Sequence, residues 1–422
     1  MQSIIILIFL LGYLAIIFEN KIRINKAATA LFMGALSWGI IATKAFLIQN
    51  ILNDLQIHLV AISELVFFLL GAMTIVEIID AHDGFQVIAE KIKKEQPFIL
   101  VWKIALITFF LSAILDNLTT AIVMVSIINK ISQDKKAKWY LLSLVIIASN
   151  AGGAWSPIGD VTTTMLWMGG QVTSFNIMHQ TFLASVTCMI IPTLIISYKL
   201  RLTKNNFAEI TSISKISYKE RNLILFIGVG SFIAIPIFHY FTHLPPYLGM
   251  LFCVSIMWMI TELLHHQKTE SQKDIFSVQQ ALQRIDVPSM LFFIGILLSV
   301  AALQVTGILT QIALNLDHYV HNIYILTGSI GLLSAVLDNI PLVAAAQNMY
   351  PLGQYPTNHI FWELLSYCAG TGGSCLIIGS AAGVMVMGLE KISFGWYLKN
   401  ISWMALIGFF SGVLIFMIQQ QF

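Results

Sequence analysis

The sequence predicts an all-α polytopic membrane protein built as an inverted repeat, with about ten spanning helices, two re-entrant hairpins and two broken helices. Three observations carry this expectation. Of 422 residues, 57% are hydrophobic and only 10% charged, against roughly a quarter charged in soluble domains, and the mean hydropathy is +0.82. The apolar residues fall in repeated runs of roughly 17–25, which matches the hydrocarbon thickness of a bilayer. Finally, one stretch ending in Asp-Asn occurs twice, and a glycine-rich interruption follows each copy.

Taken in order, apolar runs over 3–19, 27–43 and 59–79 open the chain. The first has no basic n-region and no small-residue cleavage site, so it reads as a membrane helix and not as a removed signal peptide. A run over 97–131 is split near its middle by Asp116-Asn117, and one over 139–168 is interrupted by glycines. Runs over 179–198, 223–241, 247–264 and 287–305 follow; 323–350 is split by Asp338-Asn339, 364–388 is interrupted, and 398–417 closes the series. Residues 1–57 are therefore expected as N-terminal scaffold helices, 58–200 as the first repeat, 201–286 as linkers and further scaffold helices, and 287–422 as the second repeat.

Charge placement sets the topology. Backbone groups in lipid must be satisfied internally, and the runs lack the short alternating pattern of a barrel. If both split segments enter and leave on one side, every Lys and Arg except Lys44 and Lys103 falls in a loop on the inside. Letting either segment cross inverts all later loops and destroys the bias. The positive-inside rule thus predicts ten crossings, two hairpins and both termini outside; the expected location is the cytoplasmic (inner) membrane, with lipid as the surrounding partner.

The repeat itself is legible. Leu111-Ser112-Ala113-Ile114-Leu115-Asp116-Asn117 recurs as Leu333-Ser334-Ala335-Val336-Leu337-Asp338-Asn339 with one Ile/Val change. About 35 residues on come Gly152-Gly153-Ala154-Trp155-Ser156-Pro157-Ile158-Gly159-Asp160 and Gly372-Gly373-Ser374-Cys375-Leu376-Ile377-Ile378-Gly379-Ser380. On this topology an odd number of crossings separates the copies, so they face opposite ways, an arrangement that places a site near the bilayer midplane.

Composition excludes several functions. A net charge of +2 with no basic stripe gives no nucleic-acid partner, and Cys188, Cys253, Cys368 and Cys375 lie singly in apolar runs without metal or disulfide spacing. His265-His266 reads as a loop feature, with no carboxylate or thiol at ligand spacing. No cofactor is expected.

Ionisable groups deep in apolar segments cost a few kcal/mol each and mark function by default. Asp116 and Asp338 each sit where a helix must break; a cap there could equally be Asn or Ser, which would leave no charge to bury. Around the first tip lie Ser112, Asn117, Thr119 and Thr120; the first break adds Asn150, Ser156, Asp160, Thr162, Thr163 and Thr164; Ser334, Asn339, Thr371 and Ser374 face them from the second half. Such oxygens suit a hard cation. No cluster of buried Lys or Arg accompanies them, as an anionic substrate would favour. A carboxylate out of water has a raised pKa, by up to roughly 3–5 in extreme cases, and can exchange a proton for a sodium ion near neutral pH. Asp116 is expected as the main competing carboxylate, with Asp160 or Asp338 second, and Na+ at Asp116, Asn117, Asn150 and Asp160. The halves differ, since Pro341 stands where Thr119 does and Ser380 where Asp160 does.

Glu64, inside 59–79, is a candidate for a proton pathway or for a polar contact between helices. Glu77, Asp80, Glu262 and Glu363 read as markers of the membrane surface. His82, with His58, is a candidate for pH tuning.

These residues bring a resemblance into view. Leu115-Asp116-Asn117-Leu118-Thr119-Thr120, the break at 152–160 with Thr162–Thr164, and the second Leu337-Asp338-Asn339 resemble the NhaD-type sodium/proton antiporters of the ion-transporter superfamily, over nearly the whole length. The glycine break is shared with arsenite and dicarboxylate carriers; Asp at the hairpin tip and Ala154-Trp155 within the break are the more specific signs. The resemblance implies an elevator-type homodimer that exports Na+ or Li+ in exchange for protons and serves pH homeostasis, with Ser112, Asp116, Asn117, Asn150, Asp160, Thr162, Thr163, Ser334, Asp338, Asn339 and Ser374 as site residues. The rivals are another carrier of the superfamily, for arsenite or a carboxylate, and an intramembrane enzyme. An enzyme would call for a Ser/His pair or a metal motif at membrane depth, and no such His accompanies the Asp residues.

Overall fold

The structure is a computed structural model and describes residues 2–44, 48–90, 96–131, 134–201, 217–266 and 276–421, which are helical with no strand among them. The chain opens with α1 (Gln2–Ile17), α2 (Glu19–Ile22), α3 (Lys26–Lys44), α4 (Ile48–Ala81) and α5 (Gln86–Glu90). The first unit with a broken helix holds α6 (Pro97–Ser112), α7 (Asn117–Ile131), α8 (Lys135–Ala154) and α9 (Val161–Met168). Helices α10 (Ser174–Arg201), α11 (Tyr218–Thr242), α12 (Pro246–His265), α13 (Val278–Arg284), α14 (Val287–Val305) and α15 (Ile308–Tyr319) lead to the second unit. That unit holds α16 (Ile323–Leu333), α17 (Asn339–Met349), α18 (Ile360–Gly372) and α19 (Ala381–Glu390). Helix α20 (Phe394–Tyr397) runs through a π-turn at Leu398–Ser402 into α21 (Trp403–Gln419).

Among the described residues, seven helices are long and apolar enough to cross a membrane: α3, α4, α10, α11, α12, α14 and the stretch from α20 through α21. Helix α1 is apolar but only 16 residues long, and the interrupted runs each consist of two shorter pieces. The apolar run at 59–79 is the latter part of the 34-residue α4. Helices α5, α13 and α15 lie in stretches that hydropathy leaves as loops, because they are short and none is apolar throughout. Large side chains such as Phe226, which is 78% exposed, face outward, as a lipid-facing surface requires.

Two apolar clusters organise the packing. One runs through α6–α10 and α16–α21 and takes in one face of α4, α11 and α12. The other joins α1, α3, α4, α14 and α15 and reaches Met165 of α9 and Ile340 and Ala344 of α17. Helix α3 lies lengthwise along α14, and α10 along α21.

The two broken units are assembled alike, for a reason visible in single residues. Gly152 of α8 packs on the backbone of α6, where an added Cβ would sit 2.2 Å from the Phe109 carbonyl oxygen. Gly372 of α18 packs on α16, where a Cβ would sit 1.9 Å from the Gly331 carbonyl oxygen. Hydrogen bonds repeat the likeness: Ser112 Oγ donates to the Ser149 carbonyl at 2.6 Å, and Ser334 Oγ to the Ala369 carbonyl at 2.8 Å. In both units the helix pair 6/8 or 16/18 is thus locked at backbone contact, which leaves the following Asp-Asn to turn the chain.

Candidate cation site

Each Asp-Asn pair stands at the start of a helix, and the two do different work. Asp116 caps α7: its Oδ1 accepts from the Thr119 N–H at 2.8 Å and its Oδ2 from the Thr119 hydroxyl at 2.6 Å. Asp338 begins α17 without a side-chain cap bond. The sequence gives the cause. Pro341 occupies the place of Thr119, and proline has no N–H to donate and no hydroxyl. Its fixed φ is tolerated in a first turn, so the helix forms without the bonds to the third residue that Asp116 makes.

Asp160 caps α9 in turn, its Oδ1 accepting from the Thr162 N–H and hydroxyl, both at 3.0 Å. Only 2% of it is exposed. Two amides converge on this carboxylate, one from each hairpin tip: Asn117 Nδ2 donates to Oδ2 at 3.2 Å, and Asn339 Nδ2 reaches Oδ2 at 3.3 Å and Oδ1 at 3.4 Å. Asn117 also donates to Asn150 Oδ1 at 3.2 Å, and Asn150 donates to Ser380 Oγ at 3.0 Å. Ser380 caps α19 by accepting from the Gly383 N–H. Each amide that donates to the carboxylate carries an oxygen on the other branch of the same group. A rotation about χ2 would turn that oxygen toward a cation.

The broken helices cross with their counterparts exchanged. Asn150 of the first meets Ser380 of the second. Gly370, the counterpart of Asn150, lies beside Asp160, the counterpart of Ser380, where a Cβ would come 3.4 Å from Asp160 Oδ2. A side chain at Gly370 would crowd the carboxylate. The smaller residue in the second half makes room for the acid in the first.

Asp116, Asn117, Asp160, Thr164, Asp338 and Asn339 line one cavity with Lys26. Its opposite wall is apolar: Phe68, Leu69, Ala72, Met73 and Val76 of α4, Phe232 of α11 and Phe293 of α14. An adjoining cavity is lined by Tyr13, Glu19, Lys26, Asp338 and Ser380. Asp116 and Asp338 are half-buried. Both Asp-Asn tips and the first break, far apart in the chain, therefore meet at one place.

The remaining predicted residues divide. Ser112 and Ser334 bind backbone carbonyls, as described, and Ser156 Oγ donates to the Ala113 carbonyl; these serines tie tips to breaks. Thr163 is turned away from Asp160, its hydroxyl 2.9 Å from Ser366 Oγ. Thr119 serves Asp116, and Thr120 is buried with no hydroxyl partner among the described residues. Ser374 Oγ donates to the Thr371 carbonyl, and the Thr371 hydroxyl to the Tyr367 carbonyl, both within their own helix turn. Glu64 borders a different cavity, with His58, Gln171, Gln347 and Asn348 near the end of α9.

Three readings need correction. His265 is not a loop residue without a carboxylate partner: it ends α12, is 5% exposed, and lies 3.0 Å from Glu220 and 3.1 Å from His82, itself fully buried. Glu220 and His82 are too distant in sequence for ligand spacing to reveal them. Glu363, read as a surface marker, is 3% exposed and accepts from Asn176 of α10. Lys26, which counts in the sequence only as an inside loop charge, lines the site. Ser380 and Gly370 were also missed as partners of Asn150 and Asp160; the offset between the two breaks was the one signal that could have found them.

A helical membrane protein in which acidic groups from one helix break and two hairpin tips converge on an internal cavity has the form of a transporter. Comparison with known proteins agrees. A family profile described as citrate transporter (CitMHS) matches residues 13–365. Sodium/proton antiporter 1 of Arabidopsis thaliana is 43% identical over 409 residues, 96% of this chain and 70% of that protein. Sodium/proton antiporter 2 of the same plant is 40% identical over 421 residues, 99% of each chain. The Na(+)/H(+) antiporter NhaD of Vibrio cholerae serotype O1 is 30% identical over 433 residues, 95% of this chain and 88% of that protein. In fold, the chain is similar to the Alcanivorax borkumensis YdaH transporter, whose crystal structure is described as revealing an unusual topology, with a TM-score of 0.53 at 10% identity over 92% of this chain and 95% of that one. The chain belongs to the CitMHS family of transporters, and within it to the NhaD-type sodium/proton antiporters.

Proposed function

We propose that this protein exchanges Na+, or Li+, for protons across the membrane, and that Asp160 is the carboxylate at which the two ions compete. The observation that carries the reading is the charge of the cavity: among the described residues its lining holds the three acids Asp116, Asp160 and Asp338 and the single base Lys26. That balance favours a cation. A carboxylate held out of water is costly unless a proton or a metal ion neutralises it. One site that takes either ion in turn, and does not cross empty, is sufficient for exchange. Asn117, Asn150, Asn339 and the Thr162 hydroxyl supply further oxygens; Asp116 and Asp338 hold the field negative from the two tips. The names of the relatives support sodium and proton as the pair.

The second reading is transport of a carboxylate such as citrate, favoured by the family's description and by Lys26 in the wall. One ammonium against three carboxylates makes it the weaker of the two.

For movement we propose the elevator scheme. Hairpins α6–α7 and α16–α17, with the broken helices, form the inverted-repeat transport part, and α1–α4 with α11, α12 and α14 form the scaffold, which also supplies the contact of a homodimer. The apolar wall offered by α4, α11 and α14 supports this, since a polar site can slide along a smooth apolar face without breaking ion pairs. Residues 1–57 and 201–286 then belong to the scaffold and its linkers, in an inner membrane with both termini outside.

The test uses everted vesicles carrying an acid-inside gradient read by a pH-sensitive dye. Addition of Na+ or Li+ is expected to collapse the gradient in the wild type and not in Asp160→Asn. A gradient indifferent to Na+, Li+ and K+, with citrate taken up instead, would establish the carboxylate reading.

A further inference from the structure

We infer that His82, His265 and Glu220 form a site for a divalent transition-metal ion, zinc by its ligand set, which clasps the ends of α4, α11 and α12. The three residues come from separate places: His82 just after α4, Glu220 in the first turn of α11, His265 at the end of α12. Their ligand atoms all lie within 4.8 Å of one another. His82 Nε2 is 3.1 Å from His265 Nε2, which is 3.0 Å from Glu220 Oε1. Two ligands of one tetrahedral zinc ion, at about 2.0–2.2 Å from the metal, stand a little over 3 Å apart. The third pair, His82 and Glu220, lies within 4.8 Å, so a turn of the Glu220 side chain that brings its carboxylate about 1 Å or more nearer His82 closes the shell around an ion.

The orientation of the two rings suits a metal ion. His82 Nδ1 is 2.7 Å from the Ile78 carbonyl, which can only accept, so the proton sits on Nδ1 and Nε2 presents a lone pair. A carbonyl fixing the far nitrogen in this way is the usual support of a metal-bound histidine. His265 Nε2 then lies between two acceptors, His82 Nε2 and the Glu220 carboxylate, and its one N–H cannot point at both. A metal ion takes a lone pair from all three. Phe276 stands against both rings, at 5.3 and 5.4 Å, and shields them from water. A cavity of about 290 Å³ beside His265, lined by Glu262 and His266 among others, leaves a way in and room for a water as fourth ligand.

The consequence is mechanical. His82 lies six residues beyond Val76, the last α4 residue to line the cation cavity, so an ion here would hold that wall against α11 and α12. The experiment strips the purified full-length protein with a chelator, returns Zn2+, and measures bound metal and its X-ray absorption. One ion per chain, with a first shell of two imidazoles and an oxygen in the wild type, is expected. Binding should weaken at least about tenfold in His82→Gln and His265→Gln, and stay unchanged in His266→Gln. The absorption spectrum needs only the wild type, so it decides the matter even if the variants fold badly. No stoichiometric zinc, a shell without imidazole, or binding untouched in folded His82→Gln and His265→Gln would overturn the site.

Discussion

Asn339 extends its amide to the carboxylate of Asp160, 179 residues earlier in the chain, at 3.3 Å from Oδ2. Asn117 does the same from the other hairpin tip at 3.2 Å. A hydrogen bond to a charged group contributes roughly 1.5–3 kcal/mol, more than a neutral one. Asn117→Ala and Asn339→Ala are each expected to raise the apparent KM for Na+ by roughly 10–100-fold, with the double variant falling short of the product because both act on one carboxylate. Sodium-dependent proton flux in proteoliposomes reads this; an Asn339→Ala protein with wild-type KM would remove the second hairpin from the site.

Asp116 and Asp338 should separate on substitution. Asn can accept the Thr119 N–H as Asp does, so Asp116→Asn is expected to keep wild-type thermal stability, whereas Asp116→Ala loses the cap and about 1 kcal/mol. Asp338→Ala loses no bond to the third residue of its helix, where Pro341 stands. All three are expected to transport poorly. An Asp116→Asn protein that transports normally would reduce Asp116 to a helix cap.

Lys26 is the opposing charge in the cavity. Removing it relieves repulsion of a bound cation, a term on the order of 1 kcal/mol at this kind of separation in a partly polar site. Lys26→Met is expected to lower the apparent KM for Na+ several-fold. A higher KM would assign the lysine to an anion instead.

Gly152→Ala and Gly372→Ala place a methyl against backbone that cannot move aside. Each is expected to cost about 1–3 kcal/mol or more and to lower the melting temperature in detergent. Gly328→Ala, where nothing lies within 4 Å of the new carbon, is expected to be neutral or slightly stabilising, since alanine is the better helix former by up to about 1 kcal/mol. Equal effects at the three positions would mean that α6/α8 and α16/α18 are not held at backbone contact.

How much of this was legible in the sequence depends on the range of the interaction. Helix breaks at Asp116 and Asp338, and the glycine interruptions, are local signals, and the chain breaks there. Asp116, Asn117, Asp160, Asp338 and Asn339, which line one cavity, were also singled out by local signals, because a buried acid or amide at a break is costly without a purpose. The centre of the network was not legible. Nothing near Asp160 says that both tip amides reach it, since that depends on how two distant units cross. Thr163 and Ser374 carry the right atoms on the wrong side of their helices, which composition cannot show. Lys26 reads as a loop charge until α3 is laid along α14 and the lysine comes to line a cavity with Asp338 and Asn339. The His82–His265–Glu220 cluster needs three helix ends brought together, and no spacing in the chain announces it.

The account depends most on Asp160 exchanging one ion for another. Purified protein in weak buffer, with a pH indicator, measures this without any gradient: Na+ is added and released protons are counted against bound sodium. The wild type is expected to release protons on binding Na+, and Asp160→Asn, folded and of normal melting temperature, to bind little Na+ and release none. Release of protons by Asp160→Asn at the wild-type level would contradict the account and move the exchange to another acid.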